Sequence, residues 1–332
     1  MAAKRLLSIG SPLLDILSEV EEPFLAGVTG SKGGRELMDS VALDALIARL
    51  PNRTICSGGA AGNTAAALAQ LGGNSAFFGR IGADEAGRFY REGMRHSRCD
   101  VSRMREDREN PTGRCVSLIT PDGERTMRSS LGASAFVTAA DAEALDWGGF
   151  SVVFWEGFQL AHKDFFTAGL ARAREAGCKV ALDLSSFEVV SQFRDTLQNL
   201  WESGGIDILF ANREEAEALL GSLADEELTR TLGRHSLAVL KRGAEGAVIA
   251  QKSEMLLIPA QKTEVHDTTG AGDFFAAGFF YGYLQDVSLA GCGAMGAAVA
   301  AEVVQHIGAA IPQERYPALC ARLNEILHSS TQ

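Results

Sequence analysis

An α/β fold, a doubly wound and mainly parallel sheet with helices on both faces plus a small β-sheet lid, is what this sequence predicts. Three observations carry the reading. Apolar strand-like runs recur along the chain, each followed by a helical pattern. Runs of that kind, unbroken by polar residues, belong to a parallel sheet covered on both faces. Two other segments break the rhythm and read as β structure outside that sheet. With 332 residues, 46% hydrophobic and 22% charged, the chain suits one large core with a small appendage. It is read as one domain over 1–332, with lid segments at about 13–38 and 108–132 inserted within it.

In chain order, LLSIG (6–10) opens the sheet, and LLDILSEV (13–20) runs out of it toward the Gly-rich stretch GVTGSKGG. AGNTAAALAQLGG (61–73) is a helix that Gly72 and Gly73 stop, and SAFFGRIG (75–82) is the next strand. TGRCVSLITPDGERTMRSSLG (112–132) reads as a hairpin about the turn Pro121-Asp122-Gly123. The strand SVVFWEG (151–157) precedes the helix KDFFTAGLARAREAG (163–177). KVALDLS (179–185), DILFAN (207–212) and LAVLKRG (237–243) follow, with helices between them. AGCGAMGAAVAAEVV (290–304) is Ala/Gly-rich and carries Glu302, so it is expected as a buried helix and not a membrane span. In such a sheet the functional crevice lies at the carboxyl ends of the strands.

The net charge of −11, with a pI near 5.1, argues against a nucleic-acid or anionic-membrane binder. An anionic ligand must then be held by local donors. Six cysteines (56, 99, 115, 178, 292 and 320) are scattered without paired spacing, the pattern of a reduced, cytoplasmic protein. The start MAAKRLLSIG is soon interrupted by Asp15 and Glu19 and lacks a small-residue cleavage pattern, so no signal peptide is expected.

The stretch DTTGAGDFFAAG (267–278) places a carboxylate, Asp273, on the first turn of an apolar helix. A buried charge needs compensation. A helix N-terminus offers free amides and a partial positive charge, and Gly270, Ala271 and Gly272 let that backbone approach a phosphate closely. Asp273 then stands beside the phosphoryl group, able to accept a proton from an attacking hydroxyl, which is most of what phosphoryl transfer asks of a protein. The plainer alternative is a helix cap made by Asp267 or Asp273. GAGDFFA also fits the loose dinucleotide pattern, but AQKTEVHDTT before it is a poor buried strand. A second cluster, SGGAAGNTAAALAQLGG (57–73), opens a helix where Gly58 and Gly59 admit a ligand and Asn63 offers both donor and acceptor to hydroxyls; tight helix packing is its bland reading. No Walker A loop is present.

GGAAGNTAAALAQLGGNSAFFGRIGADEAG (58–87) and DTTGAGDFFAAG (267–278) resemble the two signature regions of the PfkB, or ribokinase-like, carbohydrate and nucleoside kinases. NREE (212–215) matches the family's N-x-x-E element and KRGAEG (241–246) its nucleotide-binding turn, so the resemblance runs from about residue 5 to about 325. It implies transfer of the ATP γ-phosphate to a sugar or nucleoside hydroxyl, with Asp273 as base and Gly270, Ala271 and Gly272 as anion hole. Asn212 and Glu215 would organise Mg²⁺ and the ATP phosphates, partly through water, while Lys241, Gly243 and Gly246 would line the nucleotide side. Asp267 and Thr269 sit where many members bind a monovalent cation such as K⁺. Asp15, Gly58, Gly59 and Asn63 would hold the acceptor's hydroxyls. At the end of a strand, Glu156 is a further candidate for a sugar hydroxyl and Trp155 for stacking on a base, core packing being the plainer reading of Trp155. SPLLDI (11–16) and the lid's PTGRC and PDGERTM look adenosine-kinase-like, although Ser11 stands where those enzymes usually have Asn. The implied partners are ATP and a small acceptor, in a monomer or a lid-mediated homodimer. A non-catalytic sensor of the same fold is the rival reading, and an intact Asp273 counts against it.

Overall fold

The computed structural model describes residues 3–329, so residues 1–2 and 330–332 of the expected 1–332 unit lie outside the described residues. Its main sheet has eight strands in the order β15-β14-β13-β12-β11-β10-β1-β5. These are β1 (Leu6–Ile9), β5 (Ser75–Phe78), β10 (Val152–Glu156), β11 (Lys179–Asp183), β12 (Ile208–Asn212), β13 (Leu237–Lys241), β14 (Ala247–Gln251) and β15 (Glu254–Ile258). From β5 to β13 every neighbour is parallel. The expected parallel core is there because those strands are short unbroken apolar runs that only helical crossovers can join. The edge is different: β14 and β15 pair antiparallel, joined through Lys252 and Ser253, a connection too short for a crossover.

Alternate residues of each strand feed two separate cores. Phe77, Phe154, Phe210 and Val239 face the helices Ala60–Gln70, Ala271–Tyr283 and Leu289–Val303. Phe78, Val153, Trp155, Leu209 and Leu240 face Lys163–Glu175, Arg194–Glu202 and Arg213–Leu220. Trp155 is fully buried among Trp147, Phe165 and Phe166, which settles it as core and leaves no face for a base. Helix Leu289–Val303 is the buried Ala/Gly-rich helix read from sequence. Among the described residues no helix is long and apolar enough to cross a membrane.

The run SAFFGRIG is not one strand. It breaks at Gly79, packed against Pro12 and the Gly10 carbonyl, and its second half, β6 (Arg80–Gly82), leaves the sheet to pair with β7 (Arg105–Asp107).

The second sheet has the order β3-β9-β8-β2-β4: β2 (Leu13–Glu19), β3 (Arg35–Leu37), β4 (Thr54–Gly58), β8 (Gly113–Ile119) and β9 (Arg125–Ser130). The hairpin of β8 and β9 turns through Pro121-Asp122-Gly123, closed by Thr120 and Glu124. The sheet extends past the segments expected from sequence, since β4 and the helix Ser40–Arg49 also belong to it. That helix covers one face, packing Leu43 and Leu46 on Ile16, Val116 and Leu118. Buried Arg128 ties down the Gly-rich stretch by donating to the carbonyls of Thr29 (2.6 Å), Gly34 (3.0 Å) and Ser31 (3.2 Å). The other face carries the row Leu37–Ser129–Cys115–Asp15–Cys56, one residue per strand in register.

Candidate active site

Helix Ala271–Tyr283 enters the core with Phe274 through Phe280 buried. It lies close against Leu289–Val303 because Gly278 has no side chain: a Cβ there would stand 2.6 Å from the Met295 carbonyl oxygen and 2.9 Å from the Gly296 Cα. Its N-cap, Gly270, has φ +75°, a left-handed conformation that favours glycine. The Ala271 amide donates to the Thr268 carbonyl at 3.2 Å. The amides of Gly270, Gly272 and Asp273 donate to no acceptor among the described residues, so two of the three amides expected from sequence are open, Ala271 is engaged, and Asp273 adds a third.

Asp273 is the third residue of this helix, and its Oδ2 accepts Asn63 Nδ2 at 2.9 Å. Thr64 Oγ1 donates to the Asp273 carbonyl, joining the two helix starts a second time. Burial pushes the Asp273 carboxyl up to about 7; the Asn63 amide acts in the opposite direction, and the charge of Asp183 adds to the rise. A carboxylate in that range is poised to take a proton near neutral pH. No backbone amide donates to its carboxylate, so Asp273 is not a helix cap.

Around it stand groups from the carboxyl ends of three parallel strands. Lys241, ending β13, holds Asp183 Oδ2 at 2.6 Å, and its Nζ lies 3.0 Å from where a Cβ on Gly272 would be. Burial disfavours the lysine charge, yet Asp183 and Glu215 hold its pKa above the ordinary value. Asp183, ending β11, is 6% exposed. Asn212 is the N-cap of the helix Arg213–Leu220, and Glu215 its third residue. The pair forms a reciprocal capping box: Glu215 N donates to Asn212 Oδ1 (2.8 Å), while Asn212 N and Nδ2 donate to the two Glu215 oxygens (2.8 and 2.9 Å). Glu215 is 3% exposed. Burial, with Asp183 nearby, pushes its carboxyl up to about 7. Gly243 and Gly246 bound the tight turn after β13, with open space over Gly243.

Asp183 pairs directly with Lys241, while Glu215 feels the charges of both without contacting the lysine. Each Glu215 oxygen has one donor and keeps a lone pair. Among the described residues no group of three or more His, Cys, Asp or Glu side chains is arranged to hold a metal unaided.

On the lid side, the Asp15 carboxylate lies over Gly58, where a Cβ would be 2.1 Å from its Oδ2. Burial pushes Asp15 up to about 7, against the pull of Arg35 and Arg125. Gly59 caps the helix Ala60–Gln70, whose fourth residue is Asn63, so Asp15 and Asp273 are linked through one helical turn.

Two expectations are corrected. Glu156 is 1% exposed, and its oxygens accept the amides of Ser11 (2.7 Å) and Ala61 (3.0 Å) and the side chain of Gln159 (3.2 Å). It bolts the β1–β2 connection to a helix start and presents nothing to an acceptor. Asp267 and Thr269 are already engaged by a cation of the chain itself. Arg125 of β9 donates to Asp267 Oδ2 and, at 2.5 Å, to Thr269 Oγ1. Gly308 N (2.6 Å) takes Asp267 Oδ2 as well, and Thr269 N and Oγ1 (2.9 and 2.8 Å) take Oδ1. Despite burial, which acts upward, these donors hold the Asp267 carboxyl below the usual range. The oxygens expected for a monovalent cation are spent.

Sequence reasoning missed Arg125 and Asp183. The basic residue just after the hairpin turn was a signal for the first; Asp183, closing an apolar strand at the carboxyl edge of the sheet, was one for the second.

Comparison with known proteins shows the family. The chain is 32% identical to a probable sugar kinase from Rhizobium etli, covering 98% of this chain and 100% of that one with a TM-score of 0.87. It is 31% identical to the adenosine kinase of Sinorhizobium meliloti, covering 98% and 99% with a TM-score of 0.86. The adenosine kinase of Saccharomyces cerevisiae is 26% identical over 337 residues, 93% of this chain and 97% of that protein. Residues 38–315 match the description pfkB family carbohydrate kinase. The chain belongs to the PfkB family, and is an ATP-dependent phosphotransferase with a sugar or nucleoside hydroxyl as acceptor.

Proposed function

We propose that the acceptor is a nucleoside, phosphorylated on the primary hydroxyl of its ribose. The observation that carries this is the open lid face. Its row from Asp15 to Leu37 crosses three strand spacings, about 14 Å at ~4.8 Å each. Asp15 is the one carboxylate of that row, a partner for ribose hydroxyls. Beyond it come Cys115, Ser129 and then Leu37, 72% exposed, with half-buried Met127 in the next row. A single sugar ring would cover the Asp15 end and leave the apolar end wet. A sugar carrying a flat base covers both. The likeness to two adenosine kinases supports the same reading.

In this reading Asp273 accepts the proton of the attacking hydroxyl while its oxygen bonds to the γ-phosphorus. The bridging P–O bond then breaks and ADP leaves. The Gly272 and Asp273 amides, with Lys241 beside them, bear the charge on the phosphoryl oxygens. Asn63 aims the Asp273 carboxylate. Glu215 and Asp183 are the residues that would hold Mg²⁺ through water; when bound, it offsets phosphate charge.

The test is a panel of acceptors at fixed ATP, read as ADP formed and as phosphorylated product. Purine nucleosides should exceed fructose and ribose in kcat/KM by roughly 10²-fold or more, and a 5′-deoxynucleoside should give no product. Preference for a free sugar would overturn the nucleoside assignment.

A further inference from the structure

We infer that Arg125 is a positioning residue that supplies, from the lid, the single positive charge expected of a monovalent cation beside the anion-binding helix. The Asp267–Thr269 turn leads directly into Gly270, so whatever charge sits on it fixes the backbone that presents the Gly272 and Asp273 amides. Arg125 meets the turn at two points, Asp267 Oδ2 and Thr269 Oγ1, in the planar two-pronged manner of a guanidinium. Each Asp267 oxygen already accepts two donors, so a metal ion placed there would have to displace a partly buried ion pair. A second cation alongside the guanidinium would meet its charge at close range.

The placement has a consequence for the order of events. Asp267 belongs to the loop between β15 and the helix Ala271–Tyr283, whereas Arg125 opens β9, on the same strand face as Met127 and Ser129 and therefore the same face as Asp15. Arg125 also acts electrostatically on Asp15. One side chain thus connects the acceptor carboxylate to the phosphate-binding turn, and its charge arrives with the hairpin. A diffusible K⁺ would be present whether or not the lid was down. The inference rests on the kinase activity and not on the nucleoside reading.

The experiment compares KCl with choline chloride at equal ionic strength, for the intact protein and for Arg125→Ala. Turnover is measured with ATP and the best acceptor of the panel, and the thermal midpoint without either. The intact protein should show the same rate, within about 1.5-fold, and the same midpoint in both salts, because a K⁺ site would raise the midpoint by mass action. Arg125→Ala, folded by circular dichroism, should lose at least about tenfold in kcat in choline. K⁺ or guanidinium chloride should restore about threefold or more of that, a response no purely structural role gives. Activation or thermal stabilisation of the intact protein by K⁺ would overturn the inference. So would a folded Arg125→Ala that is fully active in choline, or one that stays inactive in all three salts. Since the salt comparison on the intact protein needs no variant, misfolding of Arg125→Ala cannot mask the answer. A panel that selects a free sugar would sink the nucleoside reading and leave this test unchanged.

Discussion

In the proposed function, Asp273 is placed for chemistry at the expense of stability. In the fold it holds its proton up to about pH 7, against 3.8 for its ordinary value, chiefly because it is buried. Between those values the folded chain binds more protons than the unfolded one, so stability falls as pH rises through that window. Asp273→Asn removes the buried charge and should raise the thermal midpoint by roughly 2–6 °C at pH 8, with the gain shrinking toward pH 4. The same variant should lose about 10²–10⁴ in kcat with little change in ATP affinity; retention of more than about a tenth of the rate would return Asp273 to a structural role. The charge of Asp183 adds to the rise of Asp273, and its carboxylate neutralises Lys241, which acts the other way. In Asp183→Asn the acidic limb of the kcat/KM profile should therefore move to lower pH. A limb that stayed near 7, as in the parent, would separate the two residues.

At the scale of elements, what was legible in the sequence followed local pattern. Unbroken apolar runs gave the parallel strands, and glycine clusters gave both helix starts that carry Asn63 and Asp273. What depended on distant partners was not legible. Arg125 meets Asp267 across 142 positions and Lys241 meets Asp183 across 58, and nothing in the local pattern marks either pairing. Glu156 was misread for a related reason: a carboxylate ending a strand looks available until its two amide partners, 145 and 95 positions away, are seen. Its role as a bolt can be checked by substitution. Glu156→Ala strands the Ser11 and Ala61 amides in a buried site and should cost roughly 2–5 kcal/mol, seen as a lower denaturation midpoint. A normal midpoint combined with a raised acceptor KM would instead restore Glu156 to the acceptor pocket. The glycine contact at the buried helix pair is equally specific. Gly278→Val pushes into the Met295 carbonyl and Val299, and should destabilise by about 1–3 kcal/mol or more while leaving the site residues unaltered in kind.

For the molecule as a whole, the proposed function divides the two substrates between two sheets. In that reading the main sheet and its buried helix would hold the phosphate end through Asp273, Lys241 and the open amides. The five-stranded sheet would hold the acceptor through Asp15 and its apolar row, with Gly58 to Asn63 as the joint between them. Closure of one sheet on the other would also exclude water and limit idle ATP hydrolysis. The most direct test of this division is to measure acceptor kinetics and ATP affinity together for Asp15→Ala. The account predicts that kcat/KM for the acceptor falls by about 10²-fold or more while ATP affinity stays within about twofold. If ATP affinity collapsed and the acceptor KM held, Asp15 would belong to the nucleotide side, and the assignment of the acceptor to the five-stranded sheet would be contradicted.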